Sequence, residues 1–572
     1  MDNQRLLIWA SFGLLLWWTY QAWMLDYASP PTAKRSDPAT DISAPRAEPG
    51  APPLPTSTVN APAMRDEVPT LVNSGTNDPA PANNTIHVLT DVLDIEISTK
   101  GGTLQRASLV NYPVAKDQPN NLVRLLGPDR MDLGLIQTGL NAFGDGPKAD
   151  QNAQFQRESD WYELGNQDVL DVPLTWTDGQ GLIVEKTFRF RRGSYRIDVT
   201  QRITNDRDAE WRGADYAQIL RRSREPERSM FDVDTYSFDG PIIYDGEKSE
   251  KLDRDDLMSD GAYDIQAANG WIATIQHHFL SALVPPPDTQ YVYNVSVRDN
   301  VAISSLISTP SIILQPSASH TFTITAFVGP KLQSQLEEVA DSLKLTVDYG
   351  WLTIISQPLF WLLSLVYSFA ANWGVAIIVV TILIKLVFYK LTEKSGRSMA
   401  KMREIQPRVQ SLQERYKDDR QAQGQAMMEL YKRESVNPAA GCLPILIQMP
   451  FFLAFYWVLL ESVEMRQAPF ALWITDLSSR DPYFILPIIM GAAMLFQQKL
   501  NPTPADPVQA KVMQIMPVMF TVFFAFFPSG LVLYWVTNTL LSIAQQWYIN
   551  KIVHEEAVVR KGGKKQDRKS PE

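Results

Sequence analysis

Val375-Ala-Ile-Ile-Val-Val-Thr-Ile-Leu-Ile-Lys385-Leu-Val-Phe-Tyr-Lys390 carries a nearly unbroken apolar, mostly β-branched run straight into a lysine. Such a run reads as a membrane-spanning helix, here from about Ala370 to Leu391, and an ammonium inside one is costly enough to need a reason. Two readings of Lys385 stand open. Lys390 is five residues on, only ~8 Å along a helix, so Lys385 lies within snorkelling reach of the interface and could be an end-of-helix anchor. Alternatively it is a working charge. Thr381, one turn earlier on the same face, suits a polar groove wall.

Beyond the run, residues 392–438 are polar and charged. Met402, Ile405, Val409, Leu412 and Tyr416 form one helical stripe, and Met427, Met428, Leu430 and Tyr431 a second. With a turn over Asp418 to Gly424, this predicts a helical hairpin with an exposed charged face. Its methionines fit either packing within the hairpin or a grip on apolar substrate. Eleven basic residues from Lys390 to Arg433 mark the segment as cytoplasmic. Three apolar blocks follow: Cys442 to Leu460, Tyr483 to Phe496, and Val512 to Tyr548. The third would be ~55 Å of helix, too long for one crossing. Pro528-Ser529-Gly530 divides it in two.

Gln448 and Gln498 lie within spans, where amides bridge helices or line a groove. No Asp or Glu lies inside a span; Glu461 and Glu464 flank an outer end. Proton relays and intramembrane aspartyl proteases need such carboxylates, so an ion-coupled transporter and an intramembrane protease are both weakened. A Ser/Thr–Lys hydrolase dyad at Thr381 and Lys385 has no other support in the sequence.

Upstream, Trp351 to Phe369 is apolar but broken by Pro358, and reads as a second interfacial segment or a helix entry. Leu332, Leu336, Val339, Leu343 and Leu345 lie near helical spacing among charged residues, an amphipathic helix suited to a membrane surface. Together these make residues 331–369 amphipathic interfacial helices. Residues 85–330 change to period two. Leu93-Asp-Ile-Glu-Ile alternates, and Val184-Glu-Lys-Thr-Phe-Arg-Phe turns at Arg192-Gly193-Ser194 into Tyr195-Arg-Ile-Asp-Val-Thr. Similar strands continue through Thr321-Phe-Thr-Ile-Thr-Ala-Phe-Val328. This predicts a large antiparallel β-sandwich. It contains no nucleophile elbow, glycine-rich phosphate loop or zinc-protease motif. Asp253, Asp255 and Asp256 lack a calcium ladder and read as a solvated loop. His277 and His278, adjacent on a strand, should face opposite ways.

Residues 27–84 hold 12 of the 39 prolines and read as a disordered linker. Leu6 to Leu25 is long enough to span. Its tryptophans, and the absence of an Ala-x-Ala site, predict an uncleaved anchor over residues 1–26.

Charge then orders these parts. From Phe369 onward there are 23 Lys+Arg against 16 Asp+Glu, whereas residues 1–368 hold 30 against 47. The C-terminal tail, residues 550–572, carries Lys551, Arg560, Lys561, Lys564, Lys565, Arg568 and Lys569. Six spans put both termini and the basic hairpin inside and the β domain outside; five would put the basic tail outside, against the charge rule. The spans after the hairpin occupy residues 439–549. Cys442 is the single cysteine, so no intramolecular disulfide exists. Five histidines in 572 residues make a histidine-rich metal site improbable.

Four stretches carry a resemblance. Trp351 to Lys401, Pro438-Ala-Ala-Gly-Cys-Leu-Pro-Ile-Leu-Ile-Gln-Met-Pro450, Arg466-Gln-Ala-Pro-Phe-Ala-Leu-Trp-Ile-Thr-Asp-Leu477 and Phe527-Pro-Ser-Gly-Leu-Val-Leu-Tyr534 resemble the YidC/Oxa/Alb insertase family. The likeness extends along the whole chain. It implies a non-enzymatic insertase and chaperone of the bacterial inner membrane, without cofactor or metal. The implied fold is a polytopic α-helical membrane protein with six transmembrane helices and a periplasmic β-supersandwich of galactose-mutarotase type. The implied partners are nascent membrane proteins, the SecYEG and SecDF translocon components, ribosomes met through cytoplasmic loops and the tail residues Arg560, Lys561, Lys564, Lys565, Arg568 and Lys569, and membrane lipids.

The resemblance also implies a hydrophilic groove, open to cytoplasm and lipid, with one positive charge. That charge is an arginine in much of the family and matches Lys385 here; point attraction remains but the planar fork is lost. Lys390 stands where many members carry proline. Tyr534-Trp535 replaces a Tyr-Tyr pair. Thr381, Gln448, Gln498, Tyr534 and Trp535 are the expected groove neighbours of Lys385. A sugar-processing enzyme on a membrane tether is a rival reading that leaves the five C-terminal spans unexplained.

Overall fold

The structure, a computed structural model, describes residues 84–143, 146–222, 238–417, 419–434, 436, 443–500 and 507–566. The expected anchor, nearly all of the linker, Asp418, Cys442 and the end of the tail lie outside them.

Residues 85–330 form two stacked, almost wholly antiparallel sheets. The 11-stranded sheet runs from an edge at Tyr263–Ala268 to an edge at Trp161–Glu163, and the 9-stranded sheet from Ser249–Lys251 to Gln156–Arg157. The period-two reading explains the core. In the hairpin Leu182–Arg191 and Arg196–Asn205, Phe190 faces Ile197, Phe188 faces Val199 and Val184 faces Ile203, all buried between the sheets. Each fully buried large apolar side chain contributes roughly 1.5–3 kcal/mol. Gly193 takes φ +69° at the turn, a region where a Cβ is disfavoured.

Alternation also carries a charge inward. Lys186 shares the face of Val184 and Phe188 and is fully buried. Its Nζ crosses to the other sheet and donates to Gly101 O (2.8 Å) and Thr138 O (2.6 Å), 5.0 Å from the Phe155 ring centre. Burial pushes its pKa down to about 7. No carboxylate among the described residues pairs with it.

Two local expectations fail. Asp253, Asp255 and Asp256 start a short helix rather than a loop: Asp253 caps α1 (Arg254–Asp260), accepting from the Asp255 amide at 2.8 Å. His277 and His278 do not alternate. They sit at the turn between Trp271–Gln276 and Phe279–Val284, where His277 has φ +49°, and their rings stack 3.7 Å apart. Positive φ at His277 breaks the strand's alternation and swings both rings to one side.

The helical part follows the last strand. The predicted amphipathic helix is instead α2 (Gln333–Val339) plus a 3-10 turn (Asp341–Thr346), broken where Ala340 is extended. Leu336 and Leu343 are fully buried in the protein, which leaves no continuous apolar stripe for a membrane surface. Next come α3 (Thr353–Ala370), α4 (Trp373–Val387), α5 (Tyr389–Arg415), α6 (Arg420–Arg433), α7 (Leu443–Glu461), α8 (Ile485–Leu500), α9 (Pro507–Phe524) and α10 (Ser529–Gln566).

Among the described residues only Gly350–Ala370, with Pro358 inside it, is by itself long and apolar enough to cross a membrane, whereas the sequence reads Trp351 to Phe369 as an interfacial segment or a helix entry. The single helix expected over residues 370–391 is broken at Phe388, where α4 and α5 meet at 69°. Pro528 separates α9 from α10. In the hairpin of α5 and α6, Ile405, Val409 and Leu430 are buried against each other with Met402, Leu412, Met427 and Tyr431 around them. Packing within the hairpin therefore uses Met402 and Met427, whereas Met428 is exposed.

The segment from Arg466 to Asp481 ties the outer helix ends together. Asn372 donates to Phe470 O (2.8 Å), Gly530 N to Leu477 O (2.9 Å), and Asp481 accepts from Leu486 N (2.7 Å) at the head of α8.

Candidate functional site: a lysine at a helix elbow

Lys385 lies in the last turn of α4, just before the 69° bend. Its Nζ donates to Ser542 Oγ on α10 at 2.7 Å. Ser542 Oγ in turn donates to Asn538 O one turn earlier, also at 2.7 Å. Gln448 of α7 reaches Asn538 Oδ1 through its Nε2 at 3.5 Å, a long contact. Below the bend, Gln545 Nε2 faces Tyr389 O at 3.4 Å. Asn538, Ser542 and Gln545 thus make a polar stripe at i, i+4 and i+7 on one face of α10.

A cavity of about 270 Å³ opens at this elbow, lined by Ile382, Lys385, Leu386, Tyr389, Leu541, Gln545 and Tyr548. Its walls are apolar apart from the Lys385 ammonium, the Gln545 amide and two phenol hydroxyls. Leu386 and Tyr548 are exposed at its rim. Among the described residues no carboxylate forms an ion pair with Lys385. An ammonium whose only side-chain partner is a neutral hydroxyl keeps most of its field for whatever enters the cavity.

The other expected site residues divide. Thr381 is buried and donates to Ile377 O of its own helix at 2.6 Å; it does not line the cavity. Gln448 is half-buried and joins the polar stripe. Gln498 is half-buried on α8 and lies apart from the cavity lining. Tyr534 and Trp535 build an aromatic knot one turn above Asn538. Tyr534 stacks on Phe455 at 4.5 Å, and Trp535 meets Phe452 edge-on at 4.8 Å and Phe524 at 5.1 Å. The side chains of Arg560, Lys561, Lys564 and Lys565 and the whole of Arg568 and Lys569 lie outside the described residues.

Sequence reasoning passed over Ser542, Asn538 and Gln545. Their i, i+4 and i+7 spacing along α10 was the available signal. No group of three or more His, Cys, Asp or Glu side chains able to hold a metal occurs among the described residues.

Residues 85–362 match the family described as YidC periplasmic domain, and residues 365–556 the family described as 60Kd inner membrane protein. The membrane protein insertase YidC of Nitrosococcus oceani is 46% identical over 567 residues, covering 97% of this chain and 100% of that one. The counterpart in Methylococcus capsulatus is 46% identical over 569 residues, covering 97% and 99%. A crystal structure of an active YidC insertase with its first transmembrane domain resolved covers 82% of this chain and 93% of that one, at 18% identity and a TM-score of 0.38. On the family and sequence matches, a periplasmic β-sandwich is joined to a helical inner-membrane region, and the chain belongs to the YidC family of membrane protein insertases.

Proposed function

We propose that this chain inserts nascent membrane proteins into the inner membrane by offering Lys385 as a transient counter-charge. A polar or acidic flank of the nascent segment pauses in the cavity at the elbow while its apolar part slides past Leu386 and Tyr548 into lipid. The observation that carries this is the Lys385 ammonium itself, held by Ser542 and with no carboxylate ion pair among the described residues. An apolar wall on one side and a fixed cation on the other suit a segment that is amphipathic along its length. The protein acts without covalent chemistry or cofactor. Tyr534 and Trp535 seal the polar stripe toward the outer side.

The same reading sets the topology: six crossings, both termini cytoplasmic, the β domain periplasmic. Ribosomes meet the hairpin and the tail from Arg560 to Lys569, and SecYEG, SecDF and lipids are lateral partners. Complementation of a strain depleted of its own insertase, with Lys385→Arg, Lys385→Ala and Lys385→Glu, tests the central role. The arginine variant is expected to support growth and the glutamate variant to fail; full activity of Lys385→Glu would sink the electrostatic reading. For the tail, ribosome co-sedimentation of a chain cut after Ile552 should fall, and unchanged binding would reduce the basic run to a topology signal.

A further inference from the structure

The last strand of the sandwich, Ala318–Pro330, delivers Lys331 directly to the outer end of α7. There Lys331 Nζ and Glu461 Oε2 lie 2.8 Å apart, with side chains only 2% and 9% exposed. Among the described residues this is the most buried ion pair joining the two halves of the molecule, and its members are 130 residues apart. One residue before Glu461, the carbonyl of Leu460 faces both stacked histidines, at 3.1 Å from His277 Nε2 and 2.9 Å from His278 Nε2. Both rings must carry hydrogen on Nε2 to donate there.

Further along, Arg466 donates to Pro113 O (3.1 Å) and Val114 O (3.0 Å), with its guanidinium 5.4 Å from the centre of the Phe279 ring. Gln467 also reaches Pro113 O, and Lys116 reaches Thr475 O at 2.7 Å. These contacts fall on two adjoining parts of the β domain, the His277–Phe279 turn and the end of strand Thr103–Pro113, which meet where the Tyr112 and Phe279 rings pack edge-on at 5.6 Å.

We propose that this seam is a docking interface within the chain, in which the buried Lys331–Glu461 pair locks the β domain onto the outer ends of the helices. The physical reason is the asymmetry of buried charges. A buried pair adds modest net stability, but removing one partner strands an ion away from water and is strongly unfavourable. The docked state therefore tolerates both charges or neither, and not one. The inference stands apart from the role of Lys385, since no residue of the seam lines that cavity.

The test uses the full chain in lipid vesicles, with Cys442→Ser removing the native thiol. Ser462→Cys is the reporter, since Ser462 is buried (1% exposed) beside Glu461. Its labelling by a membrane-impermeant maleimide reads how often the seam opens. Lys331→Ala and Glu461→Ala are each expected to speed labelling on the order of 100-fold. The doubly apolar Lys331→Met/Glu461→Leu chain should label within about threefold of the parent, since it strands no charge. A second reporter, Ser281→Cys inside the strand Phe279–Val284, should stay slow throughout. Parental rates in both single variants would overturn the proposal. So would equal acceleration at Ser281→Cys, which would mean that the pair holds the sandwich together rather than docking it.

Discussion

Replacing Lys186 by methionine tests a lysine buried between the two sheets with no carboxylate partner among the described residues. In the folded domain burial lowers this lysine to about 7, against 10.5 for the free side chain. The sign follows from linkage. The unfolded chain holds the proton up to about pH 10.5, whereas the folded domain releases it near 7, so stability rises with pH between those limits and is flat below them. From pH 7 to pH 9 the gain is roughly 2 kcal/mol. Methionine keeps the length, removes the titration, and removes the hydrogen bonds that Nζ donates to the carbonyls of Gly101 and Thr138.

Pulse proteolysis of the full chain in urea, scoring survival of the β domain, measures both proteins at pH 7 and pH 9. The parent is expected to gain roughly 2 kcal/mol more than Lys186→Met across that interval. Other groups that titrate in the window, such as Glu464, cancel in the comparison. Equal pH responses would refute the argument and place the ammonium in a solvated or paired site.

Glu464 is pushed up to about 7, first by burial. A raised carboxyl favours the docked state most at low pH and loses that contribution as pH rises through about 7, so labelling of Ser462→Cys, normalised to the unfolded chain, should quicken more between pH 5 and pH 8 in the parent than in Glu464→Gln; His278, which burial holds well below the usual imidazole range, acts with the opposite sign in both chains and cancels in that comparison. Gly374→Ala drives a Cβ into the Phe470 ring, an overpacking expected to remove roughly 1–3 kcal/mol, read as a lower thermal aggregation midpoint; in a Phe470→Ala background the same substitution should lower the midpoint little further. Tyr534→Ala removes a buried ring stacked on Phe455 and should cost about 3–5 kcal/mol in the same assay, while Tyr534→Phe stays near the parent.

Periodicity made much of this molecule legible. Alternation in Val184 to Phe190 placed the hairpin core, and the stripe from Met402 to Leu412 placed the packed face of α5. Pro528 marked the break between α9 and α10. What stayed hidden depended on partners distant in the chain or on backbone angles. Nothing between Val375 and Tyr389 is a proline or glycine, so the elbow at Phe388 left no mark. Thr381 has the right spacing to share the face of Lys385, yet its hydroxyl turns back to Ile377 and its surface is covered by neighbouring helices. The histidine pair failed the alternation rule because positive φ at His277 ends the strand. Lys331 and Glu461 lie 130 residues apart, and neither carries a local sign of the other.

The charge at position 385 can be tested with the lysine in place by putting a photo-crosslinking residue at Leu386, which is 62% exposed on the cavity wall. Stalled ribosome–nascent chain complexes bearing an acidic or a basic flank beside the same apolar segment are then compared. With Lys385 the acidic flank should crosslink strongly and the basic flank weakly, and Lys385→Glu should reverse that order. Crosslinking that ignores the sign of the charge at 385 would contradict a counter-charge at the elbow.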